Sequence, residues 1–123
     1  MKRILIVEDN EANRDVLSRR LARRGYEVLV ALDGPAGLAA ADAERPDLIL
    51  LDLGLPGIDG WECSRRLKAG AHTERIPIIA MSAHAMLGER QRALAAGCDE
   101  FDAKPIDFAG LLLKMGRLLE QES

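Results

Sequence analysis

The stretch LILLDLGLPGIDG, Leu48 to Gly60, decides how the rest of the chain is read. Its aliphatic run, Leu48 to Leu51, ends on an ionisable residue, Asp52, and then breaks at Gly54, Pro56, Gly57 and Gly60. A run with no polar side is what a parallel strand covered on both faces requires. A carboxylate at the point where such a strand leaves the core is either a turn-former or a reactive group.

Working outward, RILIV (Arg3–Val7), EVLVA (Glu27–Ala31) and IPIIAM (Ile76–Met81) read as further buried strands. EFDA (Glu100–Ala103) is weaker and more polar, so it is expected at an edge of the sheet. Helical patterns lie between them: Asn13–Arg24 with Val16, Leu17 and Leu21 on one face, Pro35–Glu44, Ile58–Ala69, Gly88–Ala96 and Ile106–Glu120. Gly25, Gly70 and Gly97 fall where a helix would end in a left-handed residue. Strict β-α alternation predicts an α/β domain whose single parallel sheet carries helices on both faces. In open sheets of this kind, ligands bind outside the carboxyl ends of the strands.

Length and composition set the frame for that reading. The 123 residues are expected to form one domain spanning 1–123, with no room after LLEQES for an output domain. An apolar share of 48% with 30% charged residues marks an ordinary globular chain. The net charge of -3 offers no reason to expect nucleic acid or an anionic membrane as partner. No apolar run reaches the roughly 18 to 20 residues of a membrane span, and the opening MKRILIVEDN turns acidic too early for a signal peptide, so the expected location is cytoplasmic. Cys63 and Cys98 stand far apart without a second pair of metal-type ligands, which favours buried or inert thiols over a disulfide or zinc site.

The residues just past each strand form a chemically coherent set: Glu8 and Asp9 after the first, Asp52 after the third, Ser82 after the fourth, Lys104 and Pro105 after the fifth. Each has a plainer role open to it. Asp9 or Asn10 can cap a helix, Asp52 can open a turn, Ser82 can cap, and Lys104 can be a solvated charge. All of them at one end of one sheet is harder to assign to accident. Crowded carboxylates repel unless something neutralises them. Mg²⁺ suits such a site because it takes a few protein oxygens, keeps several waters and bridges to phosphate. Asp9 and Asp52 would bind it directly and Glu8 through water, leaving a position for a phosphoryl oxygen. A carboxylate beside a cation is also a nucleophile of the aspartyl-phosphate kind, and Lys104 and Ser82 would meet charge building on the phosphoryl oxygens.

These residues resemble the receiver domain of bacterial two-component response regulators, stand-alone or from a hybrid kinase. The likeness runs from ILIVEDN through DLILLDLGLPGIDG and IPIIAMSAHA to GCDEFDAKPI. It implies a single-domain (βα)5 flavodoxin-like fold with strand order 2-1-3-4-5. It also implies that Asp52 is the phospho-acceptor, Glu8 and Asp9 the acidic Mg²⁺ pair, Ser82 the switch hydroxyl, Phe101 the switch aromatic and Lys104 the phosphoryl-facing lysine. Gly54 would lend a backbone carbonyl to the metal, and Lys104–Pro105 would be a cis bond. The implied partners are a histidine kinase or histidine phosphotransferase and a downstream protein target, and the chemistry is self-phosphorylation and self-dephosphorylation only.

Three positions depart from the commonest pattern of that family. Ser82 lacks the methyl of threonine that would bias its rotamer, and Phe101 lacks a phenol hydroxyl. Gly54 leaves the site more open to water or a partner's side chain than a larger residue would. His84, on the same rim, is either a modulator that meets attacking water or a partner, or a surface histidine. His72 reads as an inert loop residue. Trp61 suits the core or a partner surface equally. Two of Leu111, Leu112 and Leu113 should be core. Arg19, Arg20, Arg23 and Arg24 give the first helix a basic end that complements its dipole.

Two other functions share the fold. A flavodoxin-like cofactor binder would need a glycine- and hydroxyl-rich loop after the first strand, where this chain has the acidic EDNEAN. A phosphohydrolase with an aspartate nucleophile would want a second acid two residues beyond it, where Gly54 stands.

Overall fold

The structure, a computed structural model, describes residues 1–83 and 88–121. Strands β1 (Arg3–Val7), β2 (Glu27–Ala31), β3 (Leu48–Asp52), β4 (Ile78–Ser82) and β5 (Glu100–Ala103) alternate with helices α1 (Glu11–Arg23), α2 (Gly34–Glu44), α3 (Gly60–Ala69), α4 (Glu89–Ala95) and α5 (Phe108–Gln121). The strands form one parallel sheet in the order β2-β1-β3-β4-β5.

Side-chain alternation along the central strands feeds two cores. On one face, Leu5, Val7, Ile49, Leu51, Ile78 and Ala80 pack with Trp61, Cys63 and Leu67 of α3 and Ala93 of α4. On the other, Ile4, Ile6, Leu48, Leu50, Ile79 and Met81 pack with Leu17 and Leu21 of α1 and Leu111, Met115 and Leu119 of α5. Each fully buried aliphatic side chain contributes about 1.5–3 kcal/mol, so β3, buried along its whole length, is a rigid base for the residue at its end. Register then sets the rim: Val7 pairs with Leu51, Asp52 with Met81, and Ser82 with Ala103.

Several expectations need correcting in detail. β2 is only partly covered: Leu29 packs against one core and Val28 against the other, but among the described strands it pairs with β1 alone at the sheet edge, and Val30 is 50% exposed. β4 begins at Ile78 because Pro77 has no N–H for the ladder, although its carbonyl accepts from Ile49 at 2.9 Å. α1 starts at Glu11, since the Asn10 side chain accepts from the Asn13 N–H at 2.9 Å and caps it. α3 starts at Gly60 for the same reason, with Asp59 accepting from the Glu62 N–H at 2.9 Å. Gly25 and Gly97 are left-handed, with φ of 91° and 97°, but Gly70 is extended. Gly70 instead makes room for Thr73, whose hydroxyl would lie 2.5 Å from an added Cβ and donates to Leu67 O at 2.6 Å. The left-handed residue closing α2 is Arg45, with φ of 46°.

The leucine triplet divides as expected: Leu111 is fully buried, Leu112 packs against the core, and Leu113 is 70% exposed. Trp61 is a core residue, covered by the Arg92 guanidinium 4.3 Å from its ring. Cys63 and Cys98 are free and buried, and burial pushes the Cys63 thiol up to about 11.

Candidate functional site

At the end of β1 the chain turns sharply into α1. The Glu8 N–H continues the ladder by donating to Ala31 O at 3.1 Å, and Asn10 donates its N–H to Glu8 Oε2 at 3.2 Å. Because Asn10 does the capping, Asp9 is left exposed at the rim. Glu8 itself is 0% exposed and Asp52 6%. Oxygens of Glu8, Asp9 and Asp52 all lie within 4.8 Å of one another.

Lys104 reaches this group from 96 residues away. Its N–H donates to Ser82 O at 2.7 Å just past β5, and the Lys104–Pro105 bond is cis. Its ammonium donates to Glu8 Oε1 at 2.6 Å and lies 3.4 Å from Asp52 Oδ1. Asp52 also accepts from the Gly54 N–H at 3.1 Å, so the turn-forming role and a place at the rim are combined in one residue. Among the described residues, an added Cβ on Gly54 would meet only Asp52 Oδ1, at 3.7 Å, so none of them fills the space beside the carboxylate there.

Two buried carboxylates, Glu8 and Asp52, therefore share one ammonium, with the exposed carboxylate of Asp9 beside them. Burial first, and then Asp52, push the Glu8 carboxyl above its ordinary value, against the pull of Lys104 in the other direction. An all-oxygen donor set with surplus negative charge fits a hard divalent cation. Beside it lies a cavity of about 540 Å³, lined by Glu8 and Lys104 and, on the α1 and α5 side, by Val16, Arg20, Ile106 and Phe108. Arg20 stacks over Phe108 at 5.3 Å, so the basic end of α1 is partly engaged there.

The remaining expected residues are placed as follows. Ser82, buried at the end of β4, donates its hydroxyl to Glu89 Oε1 of α4 at 2.7 Å. Phe101 is half-buried against the core on the α3–α4 side, and its carbonyl accepts from Lys114 at 3.0 Å. His84 lies outside the described residues. His72 meets Asp42 at 3.3 Å on the surface. Sequence reasoning missed two residues. Arg14 of α1 donates to the carbonyls of Glu8 and Asp9 at 3.1 and 3.4 Å, tying down the acidic turn. Glu89 was the other, and its spacing from Ser82 carries no signal until β4 and α4 are in place.

Residues 4–115 match the response regulator receiver domain family. The chain belongs to that family. It is 41% identical to the response regulator PleD of Caulobacter vibrioides over 94% of its own length, and it spans about a quarter (26%) of PleD. It is 39% identical to the polar-differentiation response regulator DivK of Brucella anthropi, over 85% of each chain. Among solved structures, it superposes with a TM-score of 0.90 on the receiver domain of the sensor histidine kinase PA1611 from Pseudomonas aeruginosa, at 37% identity and 97% and 98% coverage. That structure holds a magnesium ion coordinated in its active-site cleft. Receiver domains are the phosphoryl-accepting switches of two-component signalling, and phosphorylation and Mg²⁺ are general to them. Among the described residues, no helix is long and apolar enough to cross a membrane.

Proposed function

We propose that Asp52 is the phosphoryl acceptor of this receiver domain, that Glu8, Asp9, Asp52 and the Gly54 carbonyl hold Mg²⁺, and that the donor is a histidine kinase or histidine phosphotransferase. The observation that carries the reading is the gathering of three carboxylates within 4.8 Å at the carboxyl end of the sheet, with Lys104 3.4 Å from Asp52. Bound Mg²⁺ would supply positive charge for the phosphoryl oxygens. The protein's own groups do the rest. An Asp52 oxygen forms the new O–P bond as the P–N bond to the donor imidazole breaks, and the imidazole leaves with the electron pair. Lys104 meets one phosphoryl oxygen and balances the charge gathered there. Arg14 keeps Glu8 and Asp9 oriented through their carbonyls. Hydrolysis reverses the state: water attacks phosphorus, inorganic phosphate leaves and the Asp52 carboxylate returns. The space that the described residues leave beside Gly54 favours access of that water.

The donor must cover the rim to reach Asp52. Val16, 54% exposed on α1, and the half-buried Ile106 and Phe108 give it an apolar footing beside the carboxylates. In the phosphorylated state, Ser82 turns to a phosphoryl oxygen and Phe101 follows, altering the surface of α4, β5 and α5 that a downstream protein reads. The setting is the cytoplasm, and the covalent chemistry is confined to the domain's own phosphorylation and dephosphorylation. Incubation with Mg²⁺ and radiolabelled acetyl phosphate is expected to label the protein in an acid-labile manner, and Asp52→Asn to abolish the label. Undiminished labelling of the variant would refute the assignment.

A further inference from the structure

The hydroxyl of Ser82 has one proton, and it is already given to Glu89 Oε1 at 2.7 Å. A phosphoryl oxygen can receive it only if Glu89 loses it. Glu89 opens α4, where its negative charge complements the helix dipole; Gly88, before it, contributes no side-chain cap. The other end of α4 is held separately, by buried Ala93 and by Arg92 over the ring of Trp61. The Ser82–Glu89 bond is thus a direct link between the end of β4 and the first turn of α4. It is also a charge-assisted bond at a half-buried position, stronger than one between neutral groups.

We infer that Glu89 is a positioning residue that holds the Ser82 hydroxyl in its unphosphorylated orientation and so sets how readily the domain switches. This rests on the reading of Asp52 as phosphoryl acceptor. When the phosphoryl group arrives, the Ser82 proton changes acceptor, and the Glu89 carboxylate is left without that donor close to added negative charge. The first turn of α4 is then repelled from the rim while its far end stays packed on Trp61. Nothing is consumed in the exchange: one O–H···O bond breaks and another forms.

The test is calorimetric titration with beryllofluoride, a phosphoryl mimic, in Mg²⁺ buffer, on the wild type, Glu89→Ala, Glu89→Gln, Ser82→Ala and the double variant Glu89→Ala/Ser82→Ala. Removing the competing acceptor is expected to tighten binding by about three- to tenfold in Glu89→Ala, with a smaller gain in Glu89→Gln, whose amide oxygen still accepts. In the Ser82→Ala background, Glu89→Ala is expected to gain clearly less, because the competition for the proton is gone and only the repulsion of the added charge is relieved. Equal effects in both backgrounds would show that Glu89 only supports α4, and unchanged or weaker binding in Glu89→Ala would equally overturn the inference. Failure of the wild type to bind at all would instead overturn the acceptor reading beneath it, so the two failures are distinct.

Discussion

At the amino end of the sheet, the charges that close the strands are met by opposite charges or by backbone N–H groups. Arg3 meets Glu27 at 2.8 Å and Glu44 at 3.0 Å, its backbone N–H donates to Asp47 at 2.7 Å, and Lys68 meets Asp99 at 3.0 Å. Asp99 also takes the Ile78 N–H at 2.8 Å, so it seats the start of β4. At the carboxyl end, three carboxylates, Glu8, Asp9 and Asp52, lie together, and one ammonium, Lys104, meets two of them, the wholly buried Glu8 and Asp52. The first arrangement closes strand ends with balanced, largely solvated pairs. The second keeps two buried carboxylates beside each other with a third at the surface, a cost that would be offset when a cation and a phosphoryl group bind.

Breaking the unbalanced end should therefore cost most. Lys104→Met leaves Glu8 and Asp52 buried without their ammonium, and urea unfolding at neutral pH in chelator is expected to show a loss of about 3 kcal/mol, largely recovered when Mg²⁺ is added. A loss untouched by Mg²⁺ would mean that the carboxylates do not form a cation site.

The next effect is one of pH. The Glu8 carboxyl is raised above 4.5 in the folded protein, chiefly by burial, so folding favours its protonated form. That stability is fully present below the unfolded carboxylate value and is lost as pH rises through the raised folded value. In metal-free buffer the wild type should lose stability as pH climbs out of the ordinary carboxylate range, and Glu8→Gln should lack that part of the slope. Urea midpoints across pH measure the difference.

The balanced end gives the smallest response. Lys68→Met removes an ammonium that bonds Asp99 and, at 2.9 Å, Ile76 O, and is expected to cost no more than about 1 kcal/mol, less in high salt. Mg²⁺ should not change that cost.

The unbalanced end was largely legible in the sequence. β-α alternation places Glu8, Asp9, Asp52, Ser82 and Lys104 at one rim before any distance is known, because parallel strands put all their carboxyl ends on one side. The exposure of β2 was not legible, since EVLVA looks the same at an edge as in the middle, and only strand order separates the two. The turn at Arg45 and the extended Gly70 depend on local packing that residue type does not report. Arg14 and Glu89 escaped because their roles lie in hydrogen bonds to a turn and to a hydroxyl, and many solvated arginines and glutamates share their sequence surroundings.

The central claim is that the surplus charge at the carboxyl end exists to make Asp52 a phosphoryl acceptor. Borohydride reduces an aspartyl phosphate to homoserine, so phosphorylation with acetyl phosphate and Mg²⁺, reduction and peptide mass mapping would locate the acceptor directly. Homoserine at position 52, and its absence when Mg²⁺ is chelated, is the predicted result. Homoserine at another aspartate, a reduced glutamate, or neither after full phosphorylation would contradict the account.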